Sequence, residues 1–311
     1  MMLHAIEERE IAETCMLISL RVSQWTGRKK DRDVSETATN AYNAERDAGT
    51  FHKALLPDLV NIQKVVNAAR TTYYHLTVPW QDNGDRIVSV ALYDKLVGAL
   101  RKHREAFDVE VIKIASDYTR RVSDQQARLG NMFRASDYPT ADGFRARFEF
   151  RWFVSPLPVS DDIRFRVGDG ERDRIRAETR KALEEGINAS VREVWTRLHE
   201  AVKHAYEKLS DGSAIFRDTL IGNIEELVDV LPGLNLTNDP ALTQAGEEVR
   251  RALVGLDPNR LRKNKHARKT AAEAARAALV RIERAGSTEA PSEEVSEKLQ
   301  EVNAAANKFD F

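Results

Sequence analysis

The sequence predicts an α+β fold: a small antiparallel sheet packed on long antiparallel helices, followed by a helical C-terminal region. Two patterns support this prediction. Residues 144–154 alternate between apolar and polar side chains, which is typical of a strand with one buried face. Over long stretches elsewhere, apolar residues recur every three or four positions, which is typical of helices that bury one face.

Four segments are predicted as strands. Residues 16–22 alternate and are apolar on both faces, which favours a central strand, and residues 51–56 are a weaker candidate that ends at Pro57. Residues 163–167 repeat the alternation of residues 144–154, so these two segments together predict a hairpin. The aromatic side chains of the hairpin are expected to face the core.

The predicted helices are much longer than the strands. Residues 57–76 form the first, and the apolar stripe of residues 90–127 predicts a rod of roughly 55 Å at about 1.5 Å per residue. Residues 171–209 keep nearly heptad spacing and predict a second rod. The two rods are expected to pack antiparallel along each other. A short sheet cannot cover them both, so their exposed stripes predict a homo-oligomer or a large partner.

The C-terminal part is predicted as three further helices. The first spans residues 216–231 and ends at Pro232. Helices over residues 240–255 and 258–284 each begin with an aspartate followed by proline, the pattern of an N-cap with proline in the first turn.

This organisation predicts three segments along the 311 residues. Residues 1–211 form an α+β domain with the sheet and the two rods, residues 212–286 a helical region, and residues 287–311 a linker with an acidic tail. The tail ends in Phe309 and Phe311, which suggests docking onto this protein or onto a protein partner; a disordered tail is the alternative.

Composition argues against several classes of protein. No stretch approaches the roughly 18 consecutive apolar residues of a membrane span, and the acidic N-terminus lacks the features of a signal peptide. The single cysteine, Cys15, excludes an internal disulfide and fits a reducing compartment. We therefore expect a cytoplasmic protein without a membrane partner. The net charge of −1 gives no overall attraction to nucleic acid, so such a site would have to come from local clusters.

No catalytic motif is recognisable. Residues 26–30 lack the glycine spacing of a P-loop. His199 and His204 are five residues apart instead of four, which takes the second histidine off the ligand face of a zinc-binding helix. The sequence predicts no catalytic residue, no cofactor and no metal, and hence a non-enzymatic protein.

The outer face of the predicted hairpin is one candidate binding surface. Arginine suits phosphate groups because its planar guanidinium donates two parallel hydrogen bonds and stacks on bases. A face of this kind could follow a nucleic-acid backbone, or it could be solvated or paired with acids of an adjoining helix. Its residues are Arg145, Arg147, Arg151, Arg164 and Arg166.

The second candidate is the densest basic run of the chain, residues 260–269, which has six lysines and arginines and no acid. It could contact phosphates from one helical turn to the next, or it could be a solvated helix start. Basic side chains in a first turn oppose the helix dipole, which suggests another use. The residues are Arg260, Arg262, Lys263, Lys265, Arg268 and Lys269. The shorter basic stretch 28–30 is interpreted as a loop, because Asp31 and Asp33 follow it.

Residues 17–30, with Trp25-Thr26-Gly27 among them, resemble the opening of a family of uncharacterised tailed-phage and prophage proteins. Later short motifs are similar too: residues 54–57, Ala69-Arg70-Thr71 ahead of Pro79-Trp80, Arg128-Leu129-Gly130, Asp137-Tyr138-Pro139 and Asn235-Leu236-Thr237. The resemblance covers residues 15–250 and implies a phage protein made in a bacterial cytoplasm. The family has no assigned catalytic residues, so none is transferred.

These observations predict a phage DNA-metabolism protein that binds nucleic acid as an oligomer. Single-strand binding or annealing fits best, because a basic track without base-reading motifs gives sequence-independent, salt-sensitive binding to single-stranded DNA. The alternative is a protein-binding adaptor or inhibitor, which engages a host defence or motor protein through its helical surface and tail.

Overall fold

The computed structural model describes residues 5–81, 84–162 and 166–286. The helices are α1 (Ala5–Thr14), α2 (Arg32–Ala41), α3 (Val60–His75), α4 (Val90–Ala115), α5 (Tyr118–Leu129), α6 (Ala141–Arg145), α7 (Asp169–Ser210), α8 (Thr219–Leu234), α9 (Pro240–Leu253), α10 (Pro258–Lys263) and α11 (Lys265–Gly286). The strands are β1 (Cys15–Ser23), β2 (Arg28–Asp31), β3 (Phe51–Ala54), β4 (Val78–Pro79), β5 (Arg86–Ser89) and β6 (Glu149–Pro156). The predicted α+β class, with a small antiparallel sheet and long helices, is confirmed.

The strands form two sheets. The larger has the order β4-β5-β1-β6, with β5 antiparallel both to β1 and to β4. Cys15 of β1 lies opposite Ser89 of β5, and Ile18 lies opposite Arg86. The smaller sheet is an antiparallel ribbon of β2 and β3. The strands predicted at residues 16–22 and 51–56 are therefore confirmed as β1 and β3.

The chain divides into two compact units. The described residues of unit one are 5–19, 73–81, 84–97, 153–162 and 166–286. Those of unit two are 20–72 and 98–152. This division differs from the predicted segments, because helix α7 packs on helices α8 and α11 across the expected boundary at residue 211.

Unit one is organised around helix α7, which contacts α8, α9, α11 and β4. Its buried residues keep the spacing predicted for the second rod; they include Leu183, Ile187, Val194, Leu198, Val202, Ala205 and Leu209. The main partner of α7 is α11, which runs antiparallel to it: Arg268 contacts the end of α7, whereas Glu283 lies 3.5 Å from His199, three turns earlier. Gly186 lets Trp80 approach α7, because a Cβ at this position would lie 2.4 Å from the indole ring.

Unit two is built around an aromatic cluster. The ring of Phe144, which is completely buried, stacks on Tyr118 at 4.5 Å between centroids and packs edge-on against Trp25 at 5.9 Å. Phe148 lies 4.8 Å from Phe144, and Phe107 of α4 packs on both Phe148 and Phe150. These contacts agree with the expectation that the aromatic residues around position 144 face a core.

The predicted strand at residues 144–154 begins five residues late. Residues 141–145 form the short helix α6, because the hydroxyl of Thr140 accepts a hydrogen bond from the amide of Gly143 and caps it. Strand β6 starts only at Glu149. The second strand of the predicted hairpin falls mainly on residues 163–165, which lie outside the described residues, and residues 166–167 are not in a strand.

Two predicted helices are each divided into two in the structure. The first rod is two helices, because Asp117 ends the run after α4 and its carboxylate pairs with Arg120 and Arg121 in the next turn. The helix expected over residues 258–284 is divided at Asn264, whose side chain accepts hydrogen bonds from two amides at the start of α11.

Pro232 lies inside α8 instead of ending it. A proline has no N–H group, so the carbonyl of Val228 one turn earlier loses its helical donor. Arg250 replaces that donor, because its guanidinium lies 3.2 Å from the Val228 oxygen. The long-range contact makes the proline tolerable within the helix.

Candidate nucleic-acid interface

The ribbon of β2 and β3 in unit two has two faces of different chemistry. In this antiparallel pair Lys29 lies opposite Lys53, and Lys30 lies opposite His52. Because side chains alternate along a strand, Arg28, Lys30 and His52 share one face. All three are exposed, which gives the ribbon a basic outer face. The stretch 28–30 is therefore a strand, and its interpretation as a loop is wrong.

The inner face of the ribbon holds a buried cluster of charges. The ammonium group of Lys53 lies 3.0 Å from the carboxylate of Asp31 and 2.7 Å from that of Asp137, and it donates to the carbonyl of Met132 at 2.8 Å. Lys29 lies 2.7 Å from the other oxygen of Asp137. Two lysines that face each other across the ribbon would repel, and Asp137 between them removes that repulsion.

The pKa values of Asp31, Asp137 and Lys53 are shifted in the directions that favour their charged forms. Hydrogen bonds from Lys53 and from the amide of Val34 hold the pKa of Asp31 below its usual value. Burial raises the pKa of Asp137, but the bonds from Lys29 and Lys53 outweigh it and the pKa is lowered. Burial lowers the pKa of Lys53, and its two carboxylate partners more than reverse that effect. All three groups are therefore ionised at neutral pH.

The acids that follow the basic stretch in sequence do not neutralise its outer face. Asp31 is turned inward to Lys53, and the carboxylate of Asp33 binds Arg134. Arg28, Lys30 and Arg32 are exposed, and within the described part of the chain none of them has an acidic partner within 4 Å. A cation without a partner is free to bind an external anion.

A shallow cavity of about 370 Å³ lies beside this face, where β2 meets α2. Three cations and two acids line it together with one hydroxyl; the residues are Lys30, Arg32, Arg46, Glu36, Asp47 and Ser35.

Two aromatic side chains near these elements are exposed to solvent: Tyr42, which follows α2, and Phe51, whose amide is bonded to Ser35.

The predicted arginine face is not a single strand face. Arg145 belongs to α6 and Arg147 to the turn that follows, and both are exposed. Arg151 alone lies on β6, where its guanidinium is 2.5 Å from the carboxylate of Glu149. Arg166 is exposed outside any strand, and Arg164 lies outside the described residues. The alternation that suggested a common face includes a helix and a turn, in which side chains do not alternate.

Arg268 of the basic run in unit one has an internal role, contrary to prediction. It is 9% exposed, and its guanidinium lies 5.2 Å from the centre of the Phe216 ring. It donates hydrogen bonds to backbone carbonyls at and just beyond the end of α7, at 2.7 Å to Lys208 and 3.1 Å to Leu209. Further acceptors are the carbonyls of Asp211, Gly212 and Ala214. Arg268 therefore caps α7, whose last carbonyls have no helical donor.

Arg262 is also largely occupied within unit one. It donates to the carbonyl of Phe216 at 3.1 Å and to the carboxylate of Asp218 at 2.6 Å. The other four residues of the run, Arg260, Lys263, Lys265 and Lys269, are exposed. Four of the six predicted cations of this run thus remain accessible to a ligand.

The basic outer face of the ribbon was missed in the sequence, although one signal was available. Asp31 is the N-cap of α2, and its side chain accepts a hydrogen bond from the amide of Val34. An aspartate that caps a helix is bonded to the helix amides and is a poor partner for its basic neighbours. The position of Asp31 just before a helix therefore argued against the neutralisation that the sequence suggested.

Comparison with protein-family models, with curated proteins and with solved structures finds no match for this chain. The resemblance to tailed-phage proteins and the adaptor alternative stay predictions. Phe309, Phe311 and the rest of the expected docking tail lie outside the described residues. Among the helices that the structure does describe, none is both long and apolar enough to span a membrane.

Proposed function

We propose that this protein is a non-enzymatic nucleic-acid-binding protein, and that the outer face of the β2–β3 ribbon contacts the phosphate backbone. One observation carries the proposal. Arg28, Lys30 and Arg32 are exposed and have no acidic partner among the residues that the structure describes, while the two acids beside them in sequence are bound to Lys53 and Arg134. A local excess of positive charge attracts a polyanion even though the net charge of the chain is −1.

Single-stranded DNA is the proposed ligand. Proteins that bind single strands without sequence preference combine a basic track with aromatic side chains on which bases stack. Tyr42 is 85% exposed and Phe51 39% exposed, so both rings are available for stacking near the basic residues. The accessible cations elsewhere, Arg145 and Arg147 in unit two and Arg260, Lys263, Lys265 and Lys269 in unit one, add phosphate contacts. Binding as a homo-oligomer and a phage origin in a bacterial cytoplasm belong to the same proposal.

The test is fluorescence anisotropy with a labelled single-stranded oligonucleotide. We expect binding at about 50 mM salt and a loss of affinity of at least tenfold at about 200 mM salt, since counterions compete for the phosphates. The double variant Arg28→Glu with Lys30→Glu should weaken binding at least tenfold at low salt.

The matched control is Arg101→Glu with Lys102→Glu, which reverses two exposed cations on α4 and changes the net charge equally. This variant should retain most of the affinity. Absence of binding by the unmodified protein at low salt would exclude the function. Equal losses in the two double variants would show that the ribbon has no special part in it.

A further inference from the structure

The shallow cavity beside the ribbon in unit two contains groups of both charges. Its volume of about 370 Å³ lies within the range of small-ligand pockets, about 300–1,000 Å³. Lys30 belongs both to this cavity and to the basic outer face of the ribbon, so the two surfaces are continuous. Arg32 and Glu36 line the cavity from one side of α2, and Arg46 and Asp47 line it from the segment that joins α2 to β3.

The five charged side chains of the cavity are not paired with one another. Within residues 5–81, 84–162 and 166–286, no oppositely charged group lies within 4 Å of any of them. Arg32 and Glu36 have the four-residue spacing that allows an ion pair on a helix, and still they do not form one. The hydroxyl of Ser35 is already used, because it accepts a hydrogen bond from the amide of Phe51 at 2.9 Å and donates one to the carbonyl of Asp31. The free polar groups are therefore three cations and two carboxylates.

Phosphate binding accounts for the cations of the cavity but not for its acids. An acid repels a phosphate, so Glu36 and Asp47 weaken the attraction of the three cations for a DNA backbone. A carboxylate is instead an acceptor for N–H groups. The N4 amino group of cytosine is a donor that glutamate and aspartate bind in protein–DNA complexes. Adenine and guanine carry amino groups at N6 and N2, whereas thymine carries none.

We propose that the cavity takes one nucleotide of the bound single strand, and that the base of this nucleotide carries an exocyclic amino group. Lys30, Arg32 and Arg46 then contact its phosphates, and the carboxylates of Glu36 and Asp47 accept hydrogen bonds from the amino group. A nucleotide between the cations and the acids satisfies both sets, which is consistent with their lack of partners within the described chain. The inference rests on the proposed function and adds a preference against thymine to it.

Fluorescence anisotropy with labelled oligo(dC) and oligo(dT) of equal length tests this preference. The two pyrimidines are of similar size and differ in the amino group. At about 50 mM salt and slightly alkaline pH, where cytosine is unprotonated, we expect oligo(dC) to bind at least fivefold more tightly. This factor is roughly the lower end of what one side-chain contact to a base edge contributes.

The double variant Glu36→Gln with Asp47→Asn should reduce the preference to less than about twofold, because an amide can also donate to the O4 of thymine. Its affinity for oligo(dT) should not fall, since the variant removes two negative charges near the phosphates. The matched control is Glu105→Gln with Asp108→Asn, which changes two exposed acids on α4 in unit two and should keep the preference.

The possible failures of this test are distinguishable. Equal affinity of the unmodified protein for the two oligonucleotides would overturn the inference and leave the proposed function intact. Absence of binding to either would remove both. A preference that survives in Glu36→Gln with Asp47→Asn would overturn the role of the carboxylates. Binding that requires Mg²⁺ would also overturn it, because the acids would then hold a metal ion against the phosphates.

Discussion

Two buried cations, Lys53 in unit two and Arg268 in unit one, are accommodated in different ways. The ammonium group of Lys53 lies between two carboxylates, those of Asp31 and Asp137. The guanidinium of Arg268 instead binds backbone carbonyls at the end of α7, and among the described residues no carboxylate oxygen lies within 4 Å of it. Lysine is a compact charge that needs full counter-charges, whereas the planar arginine spreads its charge over several carbonyls at the negative end of a helix dipole.

The two arrangements have opposite effects on the positive charge at the surface of their units. In unit two Lys53 withdraws Asp31 from the surface, so the neighbouring Arg28 and Lys30 are left more positive than the sequence suggests. In unit one Arg268 itself is withdrawn, so the basic run is less positive than its composition suggests. Counting charges along a sequence therefore misjudges both surfaces, because the count does not show which side chains are used internally.

The largest effect is expected from Lys53→Met. This substitution removes the cation that Asp31 and Asp137 share. Both carboxylates stay buried, and Asp137 still binds Lys29. Removing one partner of a buried ion pair typically costs about 3–5 kcal/mol, so we expect the free energy of unfolding to fall by that amount. Urea-induced unfolding followed by tryptophan fluorescence measures it.

Lys64→Met is the matched control, because Lys64 is exposed on α3 and has no ion-pair partner among the described residues. Its effect should stay within about 0.5 kcal/mol. If Lys53→Met lowers the free energy of unfolding no more than this control does, the ion pairs of Lys53 with Asp31 and Asp137 do not stabilise the fold.

A somewhat smaller effect is expected from Arg268→Met. Methionine fills part of the volume but leaves the carbonyls of Lys208 and Leu209 and those beyond them without donors. Unsatisfied buried groups cost about 1–3 kcal/mol each and some of these regain water, so we expect a total loss of about 2–4 kcal/mol. Arg268→Lys should restore less than half of the loss, because one ammonium group cannot reproduce the planar set of donors.

The adjacent Lys269→Met provides the comparison, because the side chain of Lys269 is 76% exposed. It should change the free energy of unfolding by less than about 0.5 kcal/mol. Full restoration by Arg268→Lys would mean that charge alone stabilises this site and that the hydrogen bonds to the carbonyls of α7 contribute little.

The sequence predicts regular elements better than the ends of those elements. The heptad spacing from Leu183 to Leu209 identifies α7 because burial along a helix repeats locally. The alternation at residues 144–148 misleads, because Thr140 caps a short helix there and the aromatic side chains are buried from a helix and a turn. Pro232 misleads for a different reason: the donor that compensates for it, Arg250, is distant in sequence.

The candidate site is less predictable than the fold, since it depends on long-range pairing. Nothing local distinguishes Arg268, which is buried, from Lys269, which is exposed; the difference arises because the end of α7 lies against one side of α11. Likewise Asp137 reaches Lys53 from a short 3₁₀ helix, residues 135–137, that lies far along the chain. A sequence pattern shows which residues are basic, whereas packing decides which of them remain available.

The smallest expected effect concerns pH, and it separates the two buried cations most clearly. The pKa values of Asp31 and Asp137 are lower in the folded protein than in the unfolded chain. Their contribution to stability is therefore fully present above about pH 4 and is lost as the pH falls further toward the folded-state values. The pKa of Lys53 is raised, so its contribution is complete below about pH 10 and does not change in the acid range.

Destabilisation by Lys53→Met should accordingly shrink by about 1 kcal/mol or more between pH 7 and pH 3.5, because protonated carboxyl groups need the lysine less. Destabilisation by Arg268→Met should stay constant within about 0.5 kcal/mol, because backbone carbonyls do not titrate. Urea unfolding of both variants and of Lys64→Met at the two pH values gives the three differences. Parallel changes in all three would show that acid weakens the whole molecule and not the carboxylate pair of Lys53, and the contrast between the two cations would then rest on geometry alone.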